Sequence, residues 1–403
     1  MVAVSFVAPV VGIVVSAALV ALVASLFRLP AVAFVVVGTL LLVVASVNSS
    51  VVTPVASVPL RLGGIAFLVL AGNFHGTVRR PIRPHSTFIG LMLGGLALYI
   101  LFATFGDGQY LPFIAELAGL GAFAVWLVAA TTWVPAESLR SGMVAAVAIA
   151  VAGSVAAVVV TPGVAFGLGR LRGFLENANS LGCYAVALGM LALTVVRRRL
   201  LAGGLYVASV AIIAATGSRA SAAALLATTV VIVLIEARWP IKICCSIAAG
   251  FVLAFVIDLD LVIEWVTSRG NTREQTFEYA LSTLDANLWT GVGLDNELHE
   301  VASSPMRALV HAGIWGGIAV VGMWVGLIAY GATAGARGVA VALGIVILSC
   351  FEGVLLSPLS PFLLVLTACL IAVQRTMEGR RGRHRSEPRG ALRRDHRLAG
   401  IGG

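Results

Sequence analysis

Long apolar runs separated by short polar breaks dominate the chain. Runs of about 20 apolar residues, the length that spans a bilayer as a helix, fall near 3–27, 31–47, 56–74, 87–105, 111–134, 142–161 and 180–196. Six more fall near 200–217, 220–236, 241–263, 309–332, 338–356 and 360–374. The pattern predicts an all-α fold: a polytopic transmembrane helical bundle of thirteen spans, with twelve as the alternative count because the first two pairs and the last pair are weakly separated. Two stretches interrupt it. Residues 264–308 form a long polar loop, in which Arg273 to Leu284 is helix-compatible with Phe277, Leu281 and Leu284 on one side, and Gly291–Val292–Gly293 reads as a turn. Residues 375–403 form a basic tail that reads as disordered. Two units follow: a transmembrane domain over 1–374 and the tail.

Charge then orients the spans. Short loops rich in Arg and Lys stay on the cytoplasmic side of a membrane. The basic loops are Arg79–Arg80–Arg83, Arg197–Arg198–Arg199, Arg238 to Lys242, and Arg337, and the tail from Arg375 onward adds nine Arg. Alternating back from the tail puts all of them on one side, the cytoplasmic one. Segments 48–55, 106–110, 162–179, 218–219 and 264–308 then lie outside, and the expected location is the cytoplasmic membrane with an extracytoplasmic active face. The stretch Met1 to Phe27 has no positive n-region and too long an apolar run for a signal peptide, so it reads as the first span.

Composition agrees with the pattern. Of 403 residues, 60% are hydrophobic and 11% charged, with a mean hydropathy of +1.03, against about a quarter charged in a soluble domain. The net charge of +9 would suggest a nucleic-acid partner in a soluble protein. Here the Arg residues sit in loops and tail, so topology accounts for them and membrane lipids, not nucleic acid, are the expected surroundings. The five cysteines lie in or beside apolar segments with no zinc-like spacing, which makes them packing residues. No P-loop, dinucleotide fingerprint, HExxH or GxSxG motif is present, and no metal or cofactor is expected.

The candidate chemistry lies in the outward segments, where positive charge runs against topology. Arg219 sits in Ser218–Arg219 between two apolar runs, Arg170 and Arg172 sit in 162–179, and Arg269, Arg273 and Arg307 sit in the long loop. A guanidinium keeps its charge and binds phosphate oxygens in a planar, bidentate way, so several converging on one face would hold an anionic head group. Taken singly, each is explained by snorkelling or an ion pair. Asn177 and Asn179 precede the next span; Asn179 or Ser180 would cap its helix, leaving N–H groups beside the same face. Glu116, Asp258, Asp260, Glu264 and Glu352 are carboxylates close to span ends.

In order, these pieces resemble the O-antigen ligase and polymerase superfamily, membrane glycosyltransferases that use polyprenyl-diphosphate-linked glycans. Arg170-x-x-Gly173 with Asn177-x-Asn179, Ser218–Arg219, Arg273-x-x-x-Phe277 with Gly291-Val-Gly293, and Leu309 to Gly313 and Gly316 are similar to the family's motifs over about 170 to 316. The resemblance implies a donor of polyprenyl-diphosphate-linked glycan and a glycan, lipid or protein acceptor. It also implies a metal-independent, inverting transfer. Arg219 and Arg273 would be catalytic, stabilising the leaving diphosphate, while Arg170, Asn177, Asn179, Ser218 and Arg307 would bind substrate. One position departs. The family carries a base histidine where this chain has Ala302. His299 or His311 could take over, or a carboxylate such as Glu300, or the base is dispensable. The remaining alternative is an inactive branch, or an engineered variant with alanine in place of the histidine. His299 is the expected catalytic residue. The rival reading is a transporter or flippase of an anionic lipid-linked substrate, which would show pseudo-repeats and broken helices.

Overall fold

The computed structural model describes residues 30–47, 52, 54–72, 85–105, 110–167, 169–236, 272–294, 296 and 301–386, apart from the side chains at 30, 54, 55, 105, 110–112, 272–277 and 380–386. Among these residues the fold is an all-α polytopic bundle. The first helices are α1 (Pro30–Val44), α2 (Pro54–Leu70), α3 (Ser86–Phe105) and α4 (Tyr110–Val128), which runs into a π-helix (Ala129–Trp133). Then come α5 (Ala136–Val160), the single turn α6 (Pro162–Ala165), and a two-residue hairpin of β1 (Phe166–Gly167) and β2 (Arg170–Leu171). The second half holds α7 (Ala178–Thr194), α8 (Arg199–Thr216), α9 (Arg219–Glu236), α10 (Thr272–Ala286), α11 (Ser304–Thr333), α12 (Ala336–Phe351) and α13 (Pro361–Ser386).

Eleven of the thirteen expected spans coincide with helices; those at 3–27 and 241–263 lie outside the described residues. Among the described residues, seven helices are long and apolar enough to cross a membrane, and four shorter ones are apolar. The protein is a multi-pass membrane protein. Nearly every residue of α7 is buried, and it packs against α5, α8, α9 and α13. The most extensive contacts join α11 to α3, α9 to α12, and α7 to α8. On the outside, Val159, Leu200 and Val207 are 84%, 94% and 66% exposed. In lipid such side chains cost nothing, because hydrocarbon is as apolar as they are.

The two ends of the bundle differ in chemistry. At one, Arg337 donates to Glu236 at 2.6 and 2.7 Å and to the Thr194 carbonyl, and Arg375 donates to the carbonyls of Ala130 and Val134. The other end carries Arg170, Arg172, Arg219 and Arg307. These basic residues therefore separate as the alternation of spans predicts; the basic loops expected at Arg79–Arg80–Arg83 and Arg238 to Lys242 lie outside the described residues.

Several boundaries differ from the expected ones. The helix expected over 142–161 starts at Ala136, directly after Pro135, whose fixed φ suits the residue before a first turn. The boundary expected between 374 and 375 falls inside α13: Arg375 is 4% exposed, and the helix continues to Ser386. Arg375 is held there because the π-helix leaves carbonyls that need donors. The helix expected from Arg273 exists as α10, but it docks through Ala280, packed with Val301 and Val310, while Leu281 is 45% exposed.

Where α10 ends, the chain lies across a break in α11. Ala312 (φ −127°, ψ 16°) and Gly313 (φ 57°, ψ −146°) leave helical geometry. In an unbroken helix Ile314 N–H would bond to the Val310 carbonyl. Here Ile314 N–H donates to Leu288 O (2.8 Å), while Val310 O accepts from Val292 N–H (2.8 Å) and His311 O from Gly293 N–H (3.0 Å). The loop supplies the hydrogen bonds that the break removes. Leu294 N–H then reaches Ala103 O at the end of α3.

Candidate functional site

The site lies at the bundle end where α7, α9 and α11 start and α8 and α12 finish. Arg170, on β2, donates from Nε to Thr216 O (2.6 Å) and from a terminal nitrogen to Asn179 Oδ1 (2.7 Å). Thr216 ends α8, so the guanidinium neutralises the negative pole of that helix. Asn179 Nδ2 in turn donates to Glu352 Oε1 (2.9 Å). A guanidinium on one side and a carboxylate on the other fix which way the amide points. Glu352 follows α12 in extended geometry (φ −132°, ψ 143°), and its carbonyl accepts from Ser304 Oγ (2.7 Å) on α11. A Cβ added to the next residue, Gly353, would lie 3.4 Å from Ala302 O and 3.6 Å from an Arg307 terminal nitrogen. Four distant segments thus meet: 170–179, 216–219, 302–307 and 352–353.

The expected substrate contacts divide in two. Asn177, not Asn179 or Ser180, is the N-cap of α7: its Oδ1 accepts from Ser180 N–H (2.8 Å) and Ser180 Oγ (3.0 Å). The helix starts at Ala178, which puts Asn179 and Ser180 inside the first turn. Ser218 is 3% exposed and its Oγ bonds to Ser221 Oγ (2.8 Å), so it acts on the start of α9 and orients the residue after it. Arg170 and Asn179 also serve the protein, as the clamp just described. Arg172 donates to Val164 O (2.8 Å) and pins the hairpin. Gly173 holds φ at 63° with Ser154 against it, which explains why glycine stands three residues after Arg170.

Arg219 is placed differently. It is the first residue of α9, it is exposed, and it lies at the mouth of an apolar groove between α8 and α9. The groove has a volume of about 420 Å³ and is lined by Tyr206, Val210, Ile213, Leu225 and Leu226, with Gly217 and Ser218 at the top. From Tyr206 to Gly217 it extends about 16 Å, at 1.5 Å per helical residue. It can take a hydrocarbon chain whose charged head meets Arg219.

Arg273 lies in the first turn of α10, and its side chain is outside the described residues, as are His299 and Glu300. His311, a candidate substitute base, is 1% exposed and shares a hydrogen bond of 2.7 Å between its Nδ1 and the Tyr99 hydroxyl beneath the docked loop. That burial sets it apart from the open face of the Arg cluster. Among the described residues no group of three or more His, Cys, Asp or Glu side chains comes together.

Two features escaped the sequence reading. The Asn179–Glu352 bond joins residues 173 positions apart, which no local pattern encodes. Arg61, on α2, was a visible signal: a lone charge inside the apolar run 56–74. Glu116 on α4 and Glu176 are the carboxylates near enough to act on it, and its buried Nε has no hydrogen-bond partner. Counted from the nearer ends of α2, α4 and α7, Arg61, Glu116 and Tyr184 all lie about 9–10 Å deep. Arg61→Met and Glu116→Gln are each expected to lower the thermal midpoint of the solubilised protein by several degrees, with the double variant recovering most of the loss. Strictly additive losses would show that the two charges do not interact. No protein-family model matches the chain, and no curated protein is similar enough to count as a relative.

Proposed function

We propose that the chain transfers a glycan from a polyprenyl-diphosphate carrier to a hydroxyl acceptor at the outer face of the cytoplasmic membrane. The observation that carries this reading is the groove between α8 and α9, apolar along its length with Arg219 at its mouth. The groove can take the first few units of an isoprenoid chain, and the diphosphate would meet a cation that cannot lose its charge. Arg219 stabilises the negative charge that grows on the leaving diphosphate, as preorganised donors do at developing oxyanions. Arg170 and Asn179 hold the α8–α9 turn and the start of α7 in register, so their contribution is positional. Arg273 and Arg307 are the further cations of the proposed site, and no metal is needed in this scheme.

The rival reading, movement of an anionic lipid-linked substrate across the bilayer, has one observation on its side: Arg61 and Glu116 put ionisable groups about two turns inside their spans, and such groups mark pathways. One experiment separates the two. The full chain is reconstituted in vesicles with a polyprenyl-diphosphate glycan and glycan, lipid or protein acceptors. Free polyprenyl diphosphate together with a glycosylated acceptor is the expected product. Carrier that crosses the bilayer with its glycosidic bond intact would select transport and overturn transfer.

A further inference from the structure

We infer that Glu352 is the base that takes the proton from the acceptor hydroxyl, an inference that rests on the glycan-transfer reading. Ala302, beside it, has no group that can accept a proton. The guanidinium groups of Arg170, Arg219 and Arg307 are donors only. Glu352 is the carboxylate hydrogen-bonded into this cluster, and it is held from three directions. Asn179 fixes Oε1, Ser304 fixes the backbone carbonyl, and the extended backbone after α12 turns the residue out of the helix. Asn179 is itself oriented by Arg170, so a relay of three side chains aims the carboxylate.

The step balances without a further reactant. The acceptor O–H proton passes to the Glu352 carboxylate as the hydroxyl oxygen forms its bond to the anomeric carbon. The bond from that carbon to the diphosphate oxygen breaks, and its electron pair leaves with the polyprenyl diphosphate beside Arg219. The carboxyl proton is then lost to water. The backbone just after Glu352 passes close to Ala302, since a Cβ on Gly353 would lie 3.4 Å from Ala302 O.

Glu352→Gln tests the assignment, because the amide oxygen still accepts from Asn179 while the basic site is gone. In the reconstituted full chain it is expected to lower kcat by about 100- to 10,000-fold, the range for a general base. Binding of polyprenyl diphosphate, followed by native mass spectrometry, should stay at the parent value. Recovery of at least a tenth of parent turnover in the double variant E352Q/A302H would support the same conclusion by supplying an imidazole at the neighbouring position. Turnover of Glu352→Gln within a few-fold of the parent overturns the assignment and leaves glycan transfer standing. A loss of turnover matched by an equal loss of polyprenyl-diphosphate binding overturns it too, since the residue would then only build the site. A parent chain that never cleaves the glycosidic bond overturns both readings.

Discussion

Arg219→Ala is expected to reduce the proposed glycan transfer by about 100- to 1,000-fold, the cost of removing one preorganised donor from a developing oxyanion. The size follows from its position. Arg219 is exposed at the mouth of an apolar groove, at the first turn of α9, where free N–H groups add positive potential. Nearby Arg170 is committed to Thr216 O and Asn179, so it cannot swing over without releasing the end of α8. Arg219→Lys keeps the charge but loses the planar fork, and should retain intermediate turnover. Initial rates of polyprenyl-diphosphate release, with the thermal midpoint as a folding control, check this. An Arg219→Ala chain that folds normally and works at the parent rate would remove the groove from the mechanism.

The second large effect is structural. Gly291→Ala and Gly313→Ala should each destabilise the protein by about 2–5 kcal/mol, combining a left-handed backbone with a steric clash. Gly291 has φ 67°, and a Cβ there would lie 2.3 Å from the carbonyl carbon of His311. Gly313 has φ 57°, and its Cβ would meet Leu288 O at 2.5 Å. Neither neighbour is a flexible side-chain tip. Both are backbone, fixed by the hydrogen bonds that dock 288–293 on the broken helix. Relief therefore requires undocking the loop, which exposes Val310 O, His311 O and Ile314 N–H. Gly322→Ala, in the same helix with nothing within 4 Å of its added Cβ, is the control and should be neutral or mildly stabilising. Thermal unfolding and limited proteolysis within 288–294 measure the difference. Equal behaviour of Gly291→Ala and Gly322→Ala would contradict the docking account.

The break in α11 shows how far the sequence could be read. Gly291-Val-Gly293 and Leu309 to Gly316 stood out as motifs, and a turn was legible in the first. Their mutual contact was not, because a positive φ can be guessed from a glycine but its partner cannot. Asn177 and Asn179 show the same limit. Both suggested a helix start, yet one caps α7 and the other bonds the carboxylate of Glu352, just after α12. Spacing within one helix distinguishes neither role.

By itself the sequence determined the membrane class, the position of most spans and, among the described residues, the separation of basic residues between the two ends. These follow from local quantities: apolar run length against bilayer thickness, and charge counted loop by loop. Only the tertiary structure decided which polar residues work together. It tied Arg170, Asn179 and Glu352 into one relay, opened a groove below Arg219, drew Arg61 towards Glu116, and buried His311 under the loop. Each depends on helices far apart in sequence packing at one depth and one rotation. Apolar surfaces that fit lipid and protein equally well leave that choice to close packing and to a few long-range hydrogen bonds.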